Sequence, residues 1–147
     1  MVYLDLDTVA WKPDQFGVRE DEALSIEKLD AFSTSSESWV VEGCYSGLIS
    51  HLASLATEMV FLNPGVEACI ANCRARPWEP HKYDSKEAQD KNLAYLLDWV
   101  REYAARDDEF SLKAHRDVFD AFLKTKWELR SNEEAGDFRN GLLRNFE

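Results

Sequence analysis

The chain has 147 residues, with 45% hydrophobic and 31% charged residues and a formal net charge of −11. That length supports one hydrophobic core, and no apolar run reaches membrane-spanning length. The acidic balance argues against a general nucleic-acid coat or an anionic-membrane surface, both of which want a broad basic face, but a few local arginines can still hold a small anion.

MVYLDLD at the start alternates apolar and polar residues and reads as a strand ending at Asp5-Leu6-Asp7. No basic segment followed by a long apolar stretch precedes it, so a secretory leader is not expected. Lys12 to Gly17 is a loop by its Pro and Gly. Ala23, Leu24, Ile26, Leu29, Ala31 and Phe32 give a rough helical period from about Asp21 to Phe32, closed by Ser33-Thr34-Ser35-Ser36.

The stretch from Ser38 to Tyr83 organises the chain. Trp39-Val40-Val41 ends at Glu42-Gly43, and Met59-Val60-Phe61-Leu62 ends at Asn63-Pro64-Gly65. Both runs are short, continuous and rich in β-formers, the pattern of parallel strands buried on both faces. Each hands over to a helix, and the polar residues gather at the carboxyl ends, the edge where open α/β sheets bind ligands.

Ser85 is placed to cap a long helix whose face is Leu93, Leu96, Leu97, Val100 and Ala104. Ser111 is placed to cap the next, with Val118, Phe119 and Phe122 inward. Trp127-Glu128-Leu129 predicts a last strand, and Asn132 to Phe146 a terminal helix with Phe138, Leu142, Leu143 and Phe146 on its apolar side. The expected organisation is a single domain, 1–147, with a mobile lid-like insert at about 74–106. Cys44, Cys69 and Cys73 are an odd count, which argues against a secreted disulfide scaffold and for a cytoplasmic protein. Cys69 and Cys73 stand four apart on a predicted helix with no further ligand at matching spacing, so inert thiols are expected.

In this order the segments resemble a small P-loop kinase of the adenylate/shikimate-kinase-like group that includes bacterial topology-modulation proteins. YLDLDTVAWKP resembles the second strand and acceptor-side Asp motif, and WVVEGCYS the strand that ends in Asp-Gly, here Glu42-Gly43. TEMVFLNPG resembles the next strand, CRARPWEPHKY the start of the arginine-bearing lid, and RDDEFSLKAHR the pattern that follows it. FLKTKWELRS resembles the segment passing the nucleotide base. The resemblance implies an α/β, P-loop kinase-like three-layer fold with a parallel sheet, and phosphoryl transfer from ATP with Mg²⁺ to a small molecule or nucleotide.

One part of that pattern is missing. None of the six glycines forms G-x-x-x-x-G-K-S/T: Gly43 and Gly47 are four apart and no Lys follows. The phosphate cradle needs consecutive backbone N–H groups, a Lys and a Mg²⁺-binding hydroxyl. The expectation is a domain without its first, central strand and its phosphate-binding loop. That strand would lie between the strands at 38–42 and 58–62. Those two either pair directly or leave unpaired edges open to self-association.

The resemblance gives each candidate residue a role. Asp5 and Asp7 would contact the acceptor hydroxyl or serve as general base; a solvated strand end is the plain alternative. Glu42 would stand near Mg²⁺ through water, or is a turn carboxylate. Arg76 and Arg106 would act on the transferring phosphoryl group, with Arg74 and Arg116 also binding phosphate. The alternatives are ion pairs with Asp107, Asp108 or Glu79, and a purely structural Arg116 in mid-helix. Arg19 and Gly43 would touch substrate phosphate, Arg19 being equally readable as a surface charge. His81, beside Trp78 and Tyr83, could stack on a base or face solvent. The expected function is an ATP-dependent kinase-like protein, inactive without the loop and binding neither ATP nor Mg²⁺ tightly. The alternative is a non-catalytic anion-binding or protein-interaction domain. A nucleic-acid role rests on the topology-modulation likeness alone, and the charge stands against it.

Overall fold

The computed structural model describes residues 1–13, 15, 17–80 and 82–144. In chain order the elements are β1 (Val2–Asp5), α1 (Asp7–Ala10), α2 (Glu22–Thr34), β2 (Trp39–Glu42), α3 (Ser46–Ala53), β3 (Glu58–Leu62), α4 (Val66–Ala75), α5 (Lys86–Arg101), α6 (Leu112–Ala121), β4 (Thr125–Leu129) and α7 (Asn132–Arg144). The class is mixed α/β, with two small parallel sheets. The chain forms two compact units. One comprises Met1–Thr57 with Asp107–Lys124, the other Glu58–Arg106 with Thr125–Glu147.

In the first unit β1 and β2 pair in parallel, with Val2 opposite Trp39 and Asp5 opposite Glu42. The core is Leu6, Val9, Ala10, Leu29, Tyr45, Leu48 and Leu52, with Trp39 and Val41 packed against it. Each fully buried Leu contributes roughly 1.5–3 kcal/mol. Asp21 caps α2 by accepting from the N–H groups of Ala23 (3.0 Å) and Leu24 (3.4 Å). The serine run closes α2 as expected, with the hydroxyls of Ser33, Thr34 and Ser35 donating back to carbonyls of its last turn. The expected apolar face of α2 is only partly right. Leu29 is buried, Leu24 is exposed, and Ser25 is buried instead. Ser25 tolerates that place because its hydroxyl donates to the Val9 carbonyl at 2.8 Å. Ser111 caps α6, its side chain accepting from Ala114 N–H, and Phe122 beyond the helix is buried. Lys124 Nζ donates to the carbonyls of Ser54 (2.8 Å) and Ala56 (2.7 Å), satisfying acceptors at the end of α3.

In the second unit β3 and β4 pair in parallel, Glu58 opposite Thr125 and Leu62 opposite Leu129. Ser85 caps α5 as expected, accepting from Ala88 N–H at 3.1 Å. Leu97 is the buried residue of the expected α5 face, and Ala104 falls beyond the helix, which ends at Arg101. On α7, Phe138 packs on Trp127 with ring centroids 5.2 Å apart, while Leu142 is exposed. The side chain of Leu143, and Phe146, lie outside the described residues.

The expectation that the strands at 38–42 and 58–62 are buried on both faces is corrected. In β2, Trp39 and Val41 are half-buried while Val40 and Glu42 are exposed; in β3, Met59 and Phe61 are half-buried while Val60 and Leu62 are exposed. Alternate residues point to opposite faces of a strand, so one face of each is covered and the other is open. Among the described residues β2 pairs with β1 alone and β3 with β4 alone, leaving one edge of each without a strand partner.

Candidate functional site

The parallel register of the first unit brings Asp5 and Glu42 side by side at the carboxyl ends of β1 and β2. The chain continues from that edge by Leu6 N–H donating to the Glu42 carbonyl at 2.9 Å. Leu6 is fully buried, and Gly43 passes directly over it. A Cβ on Gly43 would stand 2.8 Å from Leu6 Cβ, and Gly43 has φ +151°. Position 43 therefore needs glycine for close packing as well as for backbone conformation.

The carboxylates are held in different ways. Asp5 Oδ1 accepts from Asp7 N–H at 2.9 Å, which turns the chain into α1. Glu42 Oε1 accepts from Tyr3 OH at 2.8 Å on the exposed face. Asp7 accepts a short hydrogen bond from Tyr45 OH. Tyr45 OH in turn accepts from Trp11 Nε1 at 2.6 Å, so Trp11, Tyr45 and Asp7 form a chain of donors ending on a carboxylate. Burial, and then the bond to Asp7, pushes the Tyr45 phenol above its ordinary range.

Arg19 packs beside this chain. Its guanidinium carbon lies 4.7 Å from the ring centroid of Tyr45, 5.1 Å from Trp11 and 5.8 Å from Phe110, and Nη2 pairs with Glu109 Oε1 at 2.9 Å. Tyr45 packs edge-on against both Trp11 and Phe110. Cys44 is flanked by His115, whose Nε2–H donates to the Cys44 carbonyl at 2.7 Å. Burial, and then the charge of Asp7, pushes the Cys44 thiol up to about 11.

Asp5, Asp7, Arg19, Glu42 and Gly43 thus share the first unit. Arg116 belongs to it too, on α6, with its guanidinium 5.7 Å from the Phe119 ring centroid. Arg74, Arg76 and Arg106 belong to the second unit. Arg74 is exposed in the last turn of α4. Arg76 follows that helix and pairs with Glu79 at 3.4 Å, the structural alternative named for it. Arg106 stacks on Trp99 with its guanidinium carbon 4.3 Å from the ring centroid. Trp78 Nε1 donates to the Tyr83 carbonyl at 3.1 Å, and His81 lies outside the described residues.

Cys44, Cys69 and Cys73 are free and half-buried. Burial and the neighbouring Cys73 raise the Cys69 thiol. Among the described residues no group of three or more His, Cys, Asp or Glu is arranged to hold a metal ion. None of their helices is long and apolar enough to cross a membrane. A groove of about 290 Å³ runs along α3 and α6, lined by Ser50, Ala53, Val118, Ala121 and Leu123 among others.

Sequence reasoning missed Tyr45, Trp11, Glu109 and Phe110. A Tyr two residues after Glu42-Gly43 was a usable signal, because the loop after a strand is where a side chain can reach back to the strand end. Glu109 carried no such signal, standing 90 positions from its partner. No family model, curated protein or solved structure matches the chain.

Proposed function

We propose that the chain is an ATP-dependent small-molecule or nucleotide kinase-like protein that does not transfer phosphate by itself, because the phosphate-binding loop is absent from its sequence. The observation that carries this reading is the gathering of Asp5, Asp7 and Glu42 at the carboxyl edge of a parallel strand pair, with Arg19 packed on the Tyr45 ring whose hydroxyl binds Asp7. Carboxylates at that edge suit an acceptor hydroxyl: one orients it and accepts its proton as the phosphorus–oxygen bond forms. Asp5 or Asp7 would fill that role, and Glu42 would hold a Mg²⁺-bound water. Arg116, of the same unit, would contact the phosphoryl group, and for Arg74, Arg76 and Arg106 the phosphate role is the one the resemblance implies. The fold would be that of a P-loop kinase lacking its central strand, working in the cytoplasm on a soluble acceptor.

The test is Mg²⁺-ATP binding and phosphoryl transfer, measured for the chain alone and with an added peptide carrying a β-strand followed by G-x-x-x-x-G-K-S/T. The chain alone is expected to be inert, and Mg²⁺-ATP binding is expected only with the peptide. Turnover by the chain alone that disappears on Arg76→Ala overturns the inactivity. No binding in either arm overturns the kinase reading.

A second reading has its own support. Asp7 and Arg19, two of the proposed substrate contacts, are already engaged by Tyr45 and Glu109. Side chains tied into such pairs suit a non-catalytic domain that keeps the scaffold and uses it to bind an anion or a protein.

A further inference from the structure

Arg19 is held in an unusual way for a cation near the surface. Three aromatic rings surround its guanidinium within 5.8 Å, and one carboxylate, Glu109, meets it from the rim. Rings present the negative face of their π-systems to a cation, and several rings with a carboxylate form a cage selective for a positive head group. Tyr45 is the buried floor of this cage, 2% exposed, fixed by its bonds to Trp11 and Asp7. The rim is open: the Arg19 and Glu109 side chains are 38% and 34% exposed. Displacing Arg19 to solvent would uncover the faces of Trp11, Tyr45 and Phe110. The Arg19 backbone is pinned through the antiparallel bridge to Trp11 and the bond from Lys12 N–H to the Val18 carbonyl at 3.0 Å.

Arg19 is also an imperfect occupant. It donates to Glu109 through Nη2 and Oε1 alone, and Nη1 is buried with no hydrogen-bond partner among the described residues. A guanidinium at its best meets a carboxylate with two parallel N–H groups. Arg19 does not make that fork: one of its N–H groups meets one carboxylate oxygen. A free guanidinium, with no tether, can turn in the plane of the cage and offer both N–H groups to Glu109.

We propose that the Trp11–Tyr45–Phe110 cage with Glu109 is a recognition site for the guanidinium head of a small molecule, and that Arg19 is its built-in competitor. The planar head is preferred over a compact ammonium because it stacks on rings and matches a carboxylate fork. A tethered Arg19 acts as a local competitor at high effective concentration, so the ligand must displace it and occupancy is thresholded. The site does not rest on the phosphotransfer reading, since binding is measured without ATP.

The experiment uses the whole chain with methylguanidinium as probe and methylammonium as control, following the Trp11 indole N–H by NMR and the thermal midpoint. Arg19→Ala is expected to bind methylguanidinium saturably in the millimolar range expected of so small a ligand. Binding to the unaltered chain should be at least about tenfold weaker because Arg19 competes. Adding Glu109→Gln to Arg19→Ala should remove the saturable shift and the gain in midpoint. A Trp11 signal that does not saturate in Arg19→Ala, or one unchanged by Glu109→Gln, overturns the proposal. The unaltered chain at higher methylguanidinium gives a second reading: the Arg19 Nε–H resonance moves to its solvent-exposed position as the head is displaced, and its failure to move overturns the site.

Discussion

Tyr45 donates its phenolic proton to the carboxylate of Asp7, joining the loop after β2 to the first turn of the helix after β1. The same oxygen accepts from Trp11 Nε1, so one buried hydroxyl satisfies two partners. Tyr45→Phe keeps the ring and deletes both bonds, leaving an indole N–H and a carboxylate oxygen without their shared partner. The expected loss is about 1–3 kcal/mol, measured by urea denaturation. A cycle with Asp7→Asn should show non-additive losses, since the two residues share one bond. Additive losses would mean that Tyr45 acts through packing alone.

Gly43→Ala tests the close passage of the β2 exit over Leu6. The added methyl would stand 2.8 Å from Leu6 Cβ at a φ of +151° that L-residues rarely adopt. Overpacking a core of this kind costs about 1–3 kcal/mol, and the backbone conformation adds to it. The companion Leu6→Ala removes the contacts to Leu6 Cγ and Cδ1, at 3.2 and 3.1 Å, while leaving the one to Cβ and the conformational part. Gly43→Ala should therefore cost less in the Leu6→Ala background than in the native one, by denaturation midpoint.

Cys44 and Tyr45 give the stability a defined alkaline limit. The folded chain holds the Cys44 thiol neutral, its value raised from 9.0 to about 11 by burial and then by Asp7. An acid raised in the folded state contributes fully below its unfolded value, and its contribution falls once the unfolded chain alone can ionise. Stability should thus decline from about pH 9 toward pH 11 through Cys44, with a further decline beginning near pH 10 through Tyr45, whose phenol is also raised. Cys44→Ala should remove the first part of the decline. Native Cys44 should react with iodoacetamide about a hundredfold more slowly than the denatured thiol near pH 8, as its thiolate fraction implies.

The elements legible in the sequence were those fixed by local chemistry. Ser85 and Ser111 sit before apolar-periodic runs and cap α5 and α6, and Trp39-Val40-Val41 and Met59–Leu62 are strands with parallel partners. Local pattern could not report what meets from far away. A continuous apolar strand looks the same whether one face or two are covered, and Val40 and Val60 turn to the open face. Ser25 in the core depends on a carbonyl 16 residues earlier, and Arg19 on a carboxylate 90 residues later. The acidic strand ends were visible at once, but the engagement of Asp7 by Tyr45 was a tertiary fact.

Val60 is 39% and Leu62 63% exposed, and the edge of β3 away from β4 has no strand partner among the described residues. An apolar edge of this kind templates pairing with another chain, which natural edges usually block with a charge. Two-stranded sheets are also marginal on their own, so the tendency to recruit a further strand is strong. Leu62→Lys and Val60→Lys each place a charge there without entering the core. Each should reduce concentration-dependent light scattering while leaving the denaturation midpoint within about 0.5 kcal/mol of the original, as exposed substitutions do. Glu58→Lys, on the same open face but with no apolar group to remove, is the control and should change scattering less. A chain that stays monomeric at high concentration, unfolds cooperatively and gains nothing from an added β-strand peptide would show that these sheets are complete with two strands each. In that outcome the missing central strand drops out of the kinase reading altogether.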